Sequence, residues 1–158
     1  MANETLLIVE DEGIIAQDIQ QKLKGLGYNV PAIANSGEDA IMMAEEYNPD
    51  LVLMDIRLKG GMDGIEAATR ICLRHNIPVV YLTGYADKET LDRAKITEPI
   101  GYILKPYDKK ELHANIEMAL YQYKVGRRRR ELRFRGILEA SPDAILVTDK
   151  NGRIMLVN

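Results

Sequence analysis

Short apolar runs alternate with amphipathic segments through the first 123 residues of the chain. Five runs, at residues 5–9, 29–34, 50–55, 78–83 and 101–105, predict β-strands. Runs that are apolar at successive positions are typical of parallel strands with helices packed on both faces of the sheet.

Helical patterns fill the spaces between these runs. Apolar residues recur at helical spacing in residues 14–26, 36–47, 65–75 and 87–96, and again from residue 108 onward. Ser36, Asp87 and Asp108 are predicted to begin three of these helices. Five βα units in about 120 residues predict an α/β domain with a parallel, doubly wound sheet and right-handed crossovers.

The strand ends carry a chemically complementary set of polar residues. Glu10 and Asp11 follow the first run, Asp55 ends the third, Thr83 ends the fourth and Lys105 ends the fifth. Ligand sites of open α/β sheets lie at the carboxyl ends of the strands. Three carboxylates, a hydroxyl and an ammonium at that edge would suit a divalent cation and a phosphoryl group.

All of these residues except Asp55 also have a plainer explanation. Glu10, Asp11 and Glu12 could favour the N-terminus of the helix that follows them. Thr83 could be a β-branched strand end, and Lys105 a solvated lysine. The joint occurrence of these residues at the ends of four strands is what favours a site.

The pattern changes after residue 123. Arginine fills residues 127–130 and returns at Arg133 and Arg135, within a segment that can continue the last helix as a connector. Ser141-Pro142-Asp143 is predicted to break that helix. Strand patterns at residues 144–148 and 153–157 then flank an Asn-Gly turn signal, which predicts a hairpin.

Composition limits the class of protein. The chain has 158 residues, 46% of them hydrophobic, which is enough for one packed domain. A single cysteine and the lack of a signal peptide or of a long apolar run favour a cytoplasmic location. Residues 1–123 carry a net charge of −8 and residues 124–158 a net charge of +5, which predicts a boundary between functional units.

Residues 4–123 closely resemble the response-regulator receiver domain of two-component signalling. The resemblance rests on four segments: Leu7-Ile8-Val9-Glu10-Asp11-Glu12, Leu53-Met54-Asp55, Tyr81-Leu82-Thr83-Gly84 and Tyr102-Ile103-Leu104-Lys105-Pro106. It implies a five-stranded sheet in the flavodoxin-like order 2-1-3-4-5.

The resemblance also implies roles for the strand-end residues. Asp55 would accept a phosphoryl group from a phosphohistidine of a histidine kinase or phosphotransfer protein. Mg²⁺ would be bound by Asp11 and Asp55, with Glu10 acting largely through water and the Arg57 backbone carbonyl supplying a further oxygen. Thr83 and Lys105 would contact the phosphoryl oxygens.

The resemblance implies two further features. Thr83 and Tyr102 would form a switch, in which phosphorylation draws Thr83 toward the phosphoryl group and Tyr102 turns inward; half-buried packing is the alternative for Tyr102. A cis Lys105–Pro106 peptide would direct the ammonium into the site.

The loop after Asp55 departs from the family pattern. An extra residue and two glycines predict a looser loop, which weakens the assignment of the Arg57 carbonyl as a metal ligand.

Residues 137–158 resemble the entry to a PAS sensor domain. The chain is therefore predicted to contain a receiver domain at 1–123, a basic helical linker at 124–136 and the truncated start of a PAS-like domain at 137–158, with a histidine kinase or related output beyond it. Of the fragment's own activities we expect only self-phosphorylation from a donor and slow hydrolysis of the aspartyl phosphate.

The basic linker leaves two alternatives open. It favours a solvated or dimer-associated connector, in which Leu112, Ile116, Ala119 and Tyr123 could pair between two copies of the last helix. The other alternative is a receiver-controlled nucleic-acid-binding regulator that uses the arginines. Nucleic acid is the less favoured partner, because four consecutive helical residues point around the helix and no helix-turn-helix pattern follows.

Overall fold

The computed structural model describes residues 3–84, 88–140 and 146–157 of the chain. It divides into two units, Met1–Gln122 and Tyr123–Asn158. The first contains a parallel sheet in the order β2-β1-β3-β4-β5, so the predicted fold class is confirmed. Its strands are β1 (Leu6–Val9), β2 (Ile33–Ala34), β3 (Leu51–Asp55), β4 (Val79–Thr83) and β5 (Gly101–Leu104).

Helices separate the strands along the chain. They are α1 (Gly13–Gly25), α2 (Gly37–Tyr47), α3 (Gly64–His75), α4 (Lys88–Ile96) and α5 (Lys109–Glu139). Two apolar clusters, one on each face of the sheet, form the core. Residues of α1 and α5 pack in one cluster, and residues of α2, α3 and α4 pack in the other.

Successive side chains of each central strand enter opposite clusters, as a pleated strand requires. In β1, Leu6 and Ile8 belong to the α1–α5 side, and Leu7 and Val9 belong to the other side. All four are fully buried. Burial on both faces explains why these strands are continuously apolar rather than alternating.

The second strand is shorter than the sequence predicts. Residues 29–34 were expected to pair throughout, but only Ile33 and Ala34 form β2, and Asn29 makes an isolated bridge to Thr5. Pro31 lies between these two places of pairing. Because proline has no N–H to donate to a ladder, the strand is interrupted there.

Side-chain caps fix the beginnings of three helices. Ser36 accepts a hydrogen bond from the Asp39 N–H at 3.1 Å, and Asp108 accepts one from the Glu111 N–H at 2.8 Å, as predicted. Sequence analysis did not identify Asp63 as the cap of α3, which accepts from the Glu66 N–H at 2.9 Å. The predicted cap at Asp87 and the predicted break at Ser141-Pro142-Asp143 lie outside the described residues.

Asp63 also reaches α4. One of its carboxylate oxygens caps α3, and the other accepts a hydrogen bond from Arg93 at 2.7 Å. Burial works to raise the pKa of Asp63, but the Glu66 amide and the Arg93 guanidinium outweigh it and hold that pKa below its ordinary value. A single carboxylate therefore links the start of α3 to the middle of α4.

The predicted pairing face of the last helix is wrong. Leu112, Ile116 and Ala119 are buried in the receiver core with residues of α1 and the sheet, so they cannot pair with a second copy. The helical repeat that suggested a dimer is the repeat that packs α5 against its own sheet. The prediction that this helix continues as a connector is confirmed, since α5 extends to Glu139.

No helix in the described ranges is both long enough and apolar enough to cross a membrane. The longest, α5, has 31 residues but includes the whole arginine run.

The second unit contains a two-stranded antiparallel sheet, β6 (Leu146–Thr148) and β7 (Ile154–Val157). Its turn has Gly152 at φ 78°, and the Asp149 carboxylate accepts hydrogen bonds from the N–H groups of Asn151 and Arg153. The predicted hairpin is confirmed for these residues; the start of its first predicted strand, at residues 144–145, lies outside the described residues.

Gly64 provides a test of how tightly α3 approaches the end of β3. A Cβ there would collide with the Asp55 carbonyl oxygen and would lie 2.9 Å from the carbonyl carbon and 3.0 Å from the Ile56 Cα. Backbone atoms cannot move aside as flexible side chains do. We expect Gly64→Ala to lower the free energy of unfolding by about 2–4 kcal/mol, measured by urea denaturation.

Gly13→Ala is the matched control for Gly64→Ala. Gly13 also begins a helix, but no atom lies within 4 Å of the Cβ that alanine would add. We expect a change within about 0.5 kcal/mol. Equal stabilities of the two variants would show that Gly64 is not under the steric constraint described.

Candidate functional site

The carboxyl ends of the strands bring the predicted residues to one edge of the sheet. The register aligns Val9 with Met54, Asp55 with Leu82 and Thr83 with Leu104, so the strands end at similar heights. Residues that end β3 and β4, or directly follow β1 and β5, therefore share this edge: Glu10, Asp11, Asp55, Thr83 and Lys105.

Three carboxylates form the acidic part of the site. One oxygen from each of Glu10, Asp11 and Asp55 lies within 4.8 Å of the others. Glu10 and Asp55 are buried, with 1% and 8% of their surface exposed, and Asp11 is half-buried. Carboxylates so close together repel one another unless a cation or a proton intervenes.

Lys105 supplies a cation between two of these carboxylates. Its Nζ donates to Glu10 Oε2 and to Asp55 Oδ2, each at 3.2 Å. Burial works to lower the pKa of Lys105, but the negative charges of Asp55 and Glu10 outweigh it and raise that pKa. The ammonium is therefore held in its charged form at the centre of the site.

Glu10 is the carboxyl whose protonation is most affected by the site. Its burial, together with the neighbouring Asp55, raises its pKa to about 7, although the Glu12 N–H and Lys105 work in the opposite direction. The same burial excludes a plain helix-capping role for Glu10. Glu12 is the N-cap of α1 and makes no side-chain capping hydrogen bond.

Backbone N–H groups orient all three carboxylates. Glu12 donates to Glu10 Oε1 at 3.1 Å, Arg57 to Asp55 Oδ1 at 3.0 Å and Lys59 to Asp11 Oδ2 at 3.0 Å. The last two donors belong to the loop after β3, which sequence analysis predicts to be loose. These bonds instead tie that loop to the site.

The backbone of Lys105 is held in place on the same edge. Its N–H donates to the Thr83 carbonyl at 2.8 Å, and the Lys105–Pro106 peptide is cis, as the resemblance implies. Gly84, next to Thr83, leaves open space, because a Cβ there would meet no atom within 4 Å among the described residues.

A cavity of about 220 Å³ opens at this edge and is large enough for a small anion. Asp55, Thr83 and Lys105 line it together with Ile56, Arg57, Gly84, Glu12 and Thr90. Glu12 and Thr90 are lining residues that the sequence pattern did not predict. Glu12 adjoins Glu10-Asp11 and could have been included on that ground, whereas nothing in the sequence around Thr90, on α4, distinguishes it.

Tyr102 lies on β5 beside Tyr81 on β4, with ring centroids 5.9 Å apart. The Tyr102 hydroxyl is buried without a hydrogen-bond partner in the described structure. The Tyr81 hydroxyl is 2.8 Å from Thr97 Oγ1, whose own proton goes to the Ala94 carbonyl, so Tyr81 is the donor. Of the two tyrosines, only Tyr102 has a buried hydroxyl whose loss of hydration is not offset by a hydrogen bond to a described residue.

The comparisons with protein families agree with the resemblance read from the sequence. A model of the response regulator receiver domain matches residues 6–117, and a model of the PAS domain matches residues 132–158. Both predicted family relationships are confirmed. The PAS match begins within α5, inside the segment predicted as linker.

A curated relative aligns with three quarters of this chain. The transcriptional regulatory protein PdtaR of Mycobacterium tuberculosis is 34% identical over 119 residues, which are 75% of this chain and 58% of PdtaR. The chain thus spans little more than half the length of that protein.

Two solved structures share the fold of the receiver part. The signal receiver domain of a modulated diguanylate cyclase from Desulfovibrio desulfuricans G20 is 39% identical, with a TM-score of 0.75 over 78% of this chain and 98% of that one. The N-terminal domain of a response regulator/sensory box/GGDEF protein from Carboxydothermus hydrogenoformans is 35% identical, with a TM-score of 0.72 and the same coverage.

The two adjacent tyrosines give a paired prediction. Removing a buried, unpartnered hydroxyl relieves a desolvation penalty, so Tyr102→Phe is expected to leave stability unchanged or raise it by about 1 kcal/mol. Tyr81→Phe loses a hydrogen bond and is expected to lower stability by about 1 kcal/mol. Urea denaturation of both variants measures the difference, and the opposite order would contradict the hydroxyl environments described.

The pKa of Glu10 predicts a pH dependence of stability. The folded state binds the Glu10 proton more tightly than the unfolded chain, whose glutamate pKa is 4.5. The contribution of Glu10 protonation to the free energy of unfolding is therefore fully present below pH 4.5. It is lost as the pH rises to about 7, at up to about 1.4 kcal/mol per pH unit.

Glu10→Gln should remove this dependence, because glutamine does not titrate. We expect the stability of the wild type relative to Glu10→Gln to fall between pH 4.5 and 7 in urea denaturation with a chelator present. Glu45→Gln, an exposed position on α2, is the control and should follow the wild type. Parallel curves for wild type and Glu10→Gln would contradict the assignment.

Proposed function

This chain belongs to the response regulator receiver family through residues 6–117, and from that we propose that it accepts a phosphoryl group on Asp55 in a two-component phosphorelay. The donor would be the phosphohistidine of a histidine kinase or of a phosphotransfer protein. The observation that carries the proposal is the close grouping of three carboxylates, two of which accept hydrogen bonds from the Lys105 ammonium.

The donor set fits Mg²⁺. Hard divalent cations prefer carboxylate and carbonyl oxygens, and three carboxylate oxygens lie within 4.8 Å of one another at this edge of the sheet. Asp11 and Asp55 would bind it, with Glu10 acting largely through water and the Arg57 carbonyl as a further oxygen. When bound, Mg²⁺ would supply positive charge to the oxygens of the transferred phosphoryl group.

The chain's own residues would align the reaction. The Arg57 N–H and Lys105 orient the two oxygens of the Asp55 carboxylate toward the cavity. A carboxylate oxygen would attack phosphorus, the P–N bond to the donor histidine would break, and the histidine nitrogen would keep the electron pair. Lys105 and the Thr83 hydroxyl would then contact oxygens of the aspartyl phosphate. Positioning and charge compensation are the main requirements of phosphoryl transfer.

Lys105 has a second role in this proposal. Before phosphorylation its ammonium donates hydrogen bonds to two carboxylates, and an added phosphoryl group would offer it a new anionic partner. The same charge therefore stabilises the site both before and after transfer, and no residue has to be recruited from elsewhere.

Signal output would use Thr83 and Tyr102. Thr83 is buried at the cavity, and Tyr102 lies one strand away with a hydroxyl that forms no hydrogen bond to any of the described residues. The family resemblance implies that Tyr102 turns inward on phosphorylation, and its hydroxyl is already buried in this structure. We therefore propose that phosphorylation shifts the balance between two positions of Tyr102 toward the buried one.

The downstream partner would be a sensory region in the same chain. The PAS match after the receiver supports this order of domains, and the C. hydrogenoformans protein is likewise described as a response regulator with a sensory box. We propose that the output is a PAS-containing region, and a histidine kinase is the class of whole protein that the sequence favours.

Asp55→Asn tests the proposed phosphoacceptor. With Mg²⁺ and acetyl phosphate, we expect the wild type to gain the mass of one phosphoryl group, detected by intact-protein mass spectrometry. The variant should stay unmodified, because an amide oxygen is a far weaker nucleophile than a carboxylate. Chelation of Mg²⁺ should slow labelling of the wild type by about tenfold or more.

Asp92→Asn is the matched control for Asp55→Asn, because Asp92 is an exposed carboxylate on α4 and does not line the cavity. It should be labelled like the wild type. Labelling of Asp55→Asn at the wild-type level would refute Asp55 as the acceptor. Circular dichroism and thermal unfolding would establish that both variants fold.

A further inference from the structure

A strongly basic stretch of α5 has no role in the receiver chemistry. The basic segment, residues 124–135, has seven positive side chains and one carboxylate, Glu131, a net charge of +6. Six of the seven are arginines: 127–130, 133 and 135. The segment lies wholly within the second structural unit, so a function assigned to it is independent of the proposed phosphorylation of Asp55.

The side chains of the basic segment are available to a partner. Every residue from 127 to 137 is exposed. Glu131 pairs with Arg135 at 3.8 Å, and the Arg130 Nε donates to the Gly126 carbonyl at 3.3 Å. One carboxylate cannot compensate the six arginines, so most of their positive charge faces solvent.

Like charges within the helix repel one another. Residues three or four apart are neighbours on a helix surface, and like charges there are destabilising. Arg127 and Arg130 are one such pair, and Arg129 and Arg133 are another. A polyanion bound along the helix would relieve this repulsion, whereas a second copy of the same basic segment would add to it.

We propose that the basic segment binds the phosphate backbone of nucleic acid without sequence preference. The planar guanidinium forms paired hydrogen bonds with phosphate oxygens, and arginine is used here almost to the exclusion of lysine. Phe134 lies between Arg133 and Arg135 and is 48% exposed, so an aromatic face is available for an unpaired base.

The distribution of residues around the helix favours nucleic acid over a lipid surface. A helix that lies on a membrane separates an apolar face from a charged one. Here Leu132 and Phe134, both exposed, point in directions about 200° apart, and arginines flank each of them. A groove that surrounds the helix can use such charges on several sides, and the major groove of DNA admits one α-helix.

Nonspecific binding of this kind needs neither a single stripe of arginines nor a helix-turn-helix. Its free energy comes mainly from the release of counterions when cations neutralise phosphates. The two features that made nucleic acid the less favoured partner in the sequence therefore do not count against backbone contact.

The test measures binding of the full chain to two fluorescein-labelled oligonucleotides of about 20 units, a DNA duplex and a single-stranded RNA. Fluorescence anisotropy at about 50 to 200 mM salt gives the slope of log K against log salt concentration. We expect a slope of about −4 or steeper with at least one of them. The duplex and the RNA distinguish which nucleic acid is preferred.

A fourfold variant, with residues 127–130 changed from arginine to glutamine, should bind at least tenfold more weakly at the lowest salt and have a slope shallower by about 3 to 4. Changing the same residues to lysine should preserve most of the slope. The matched control replaces Lys24, Lys88, Lys95 and Lys110 with glutamine, an equal change of charge at exposed positions of the first unit, and should bind like the wild type.

Three results would overturn the proposal. The first is that the wild type binds neither oligonucleotide at about 50 mM salt. The second is that replacing the four control lysines with glutamine weakens binding as much as replacing the four arginines. The third is that the chain binds vesicles of phosphatidylserine and phosphatidylcholine but neither oligonucleotide. Far-ultraviolet circular dichroism verifies that the variant with glutamine at residues 127–130 keeps its helix content.

Discussion

The ammonium of Lys105, held between the carboxylates of Glu10 and Asp55, is the interaction on which the site depends. Two buried carboxylates side by side are unfavourable unless a cation or a proton lies near them. Lys105 provides that cation from the end of β5, but one ammonium cannot balance the charge of the three carboxylates grouped here. The site therefore retains an attraction for further positive charge, which is a physical basis for binding a divalent cation.

The sheet makes this arrangement possible. Because its strands are parallel and in register, chain segments far apart in sequence end at one edge, and their terminal residues meet without special loops. Gly64 then lets α3 begin close against the end of β3. The position of Asp55 thus depends on the pairing of β3 with its neighbouring strands. It also depends on Gly64, whose lack of a side chain lets α3 begin against the Asp55 backbone.

Most of the architecture could be predicted from the sequence, because its strongest signals are local. A few consecutive residues are enough to identify a fully apolar strand or a helix cap such as Ser36. The site could be predicted because polar residues at the ends of buried strands are unusual. Details that depend on tertiary contacts were beyond that reasoning: an apolar repeat on α5 does not reveal whether it packs on its own sheet or on another chain, and Thr90 reaches the cavity only through the placement of α4.

The carboxylate of Asp63 has a consequence for how motion could be distributed in the receiver unit. One oxygen serves the first turn of α3 and the other serves Arg93. Rupture of the Arg93 contact would remove this link to α4, which Ala94 still packs against the core, and would leave the cap on α3 intact. A shift of α4 that breaks only this contact would therefore not uncap α3, whose first turn lies against the end of β3.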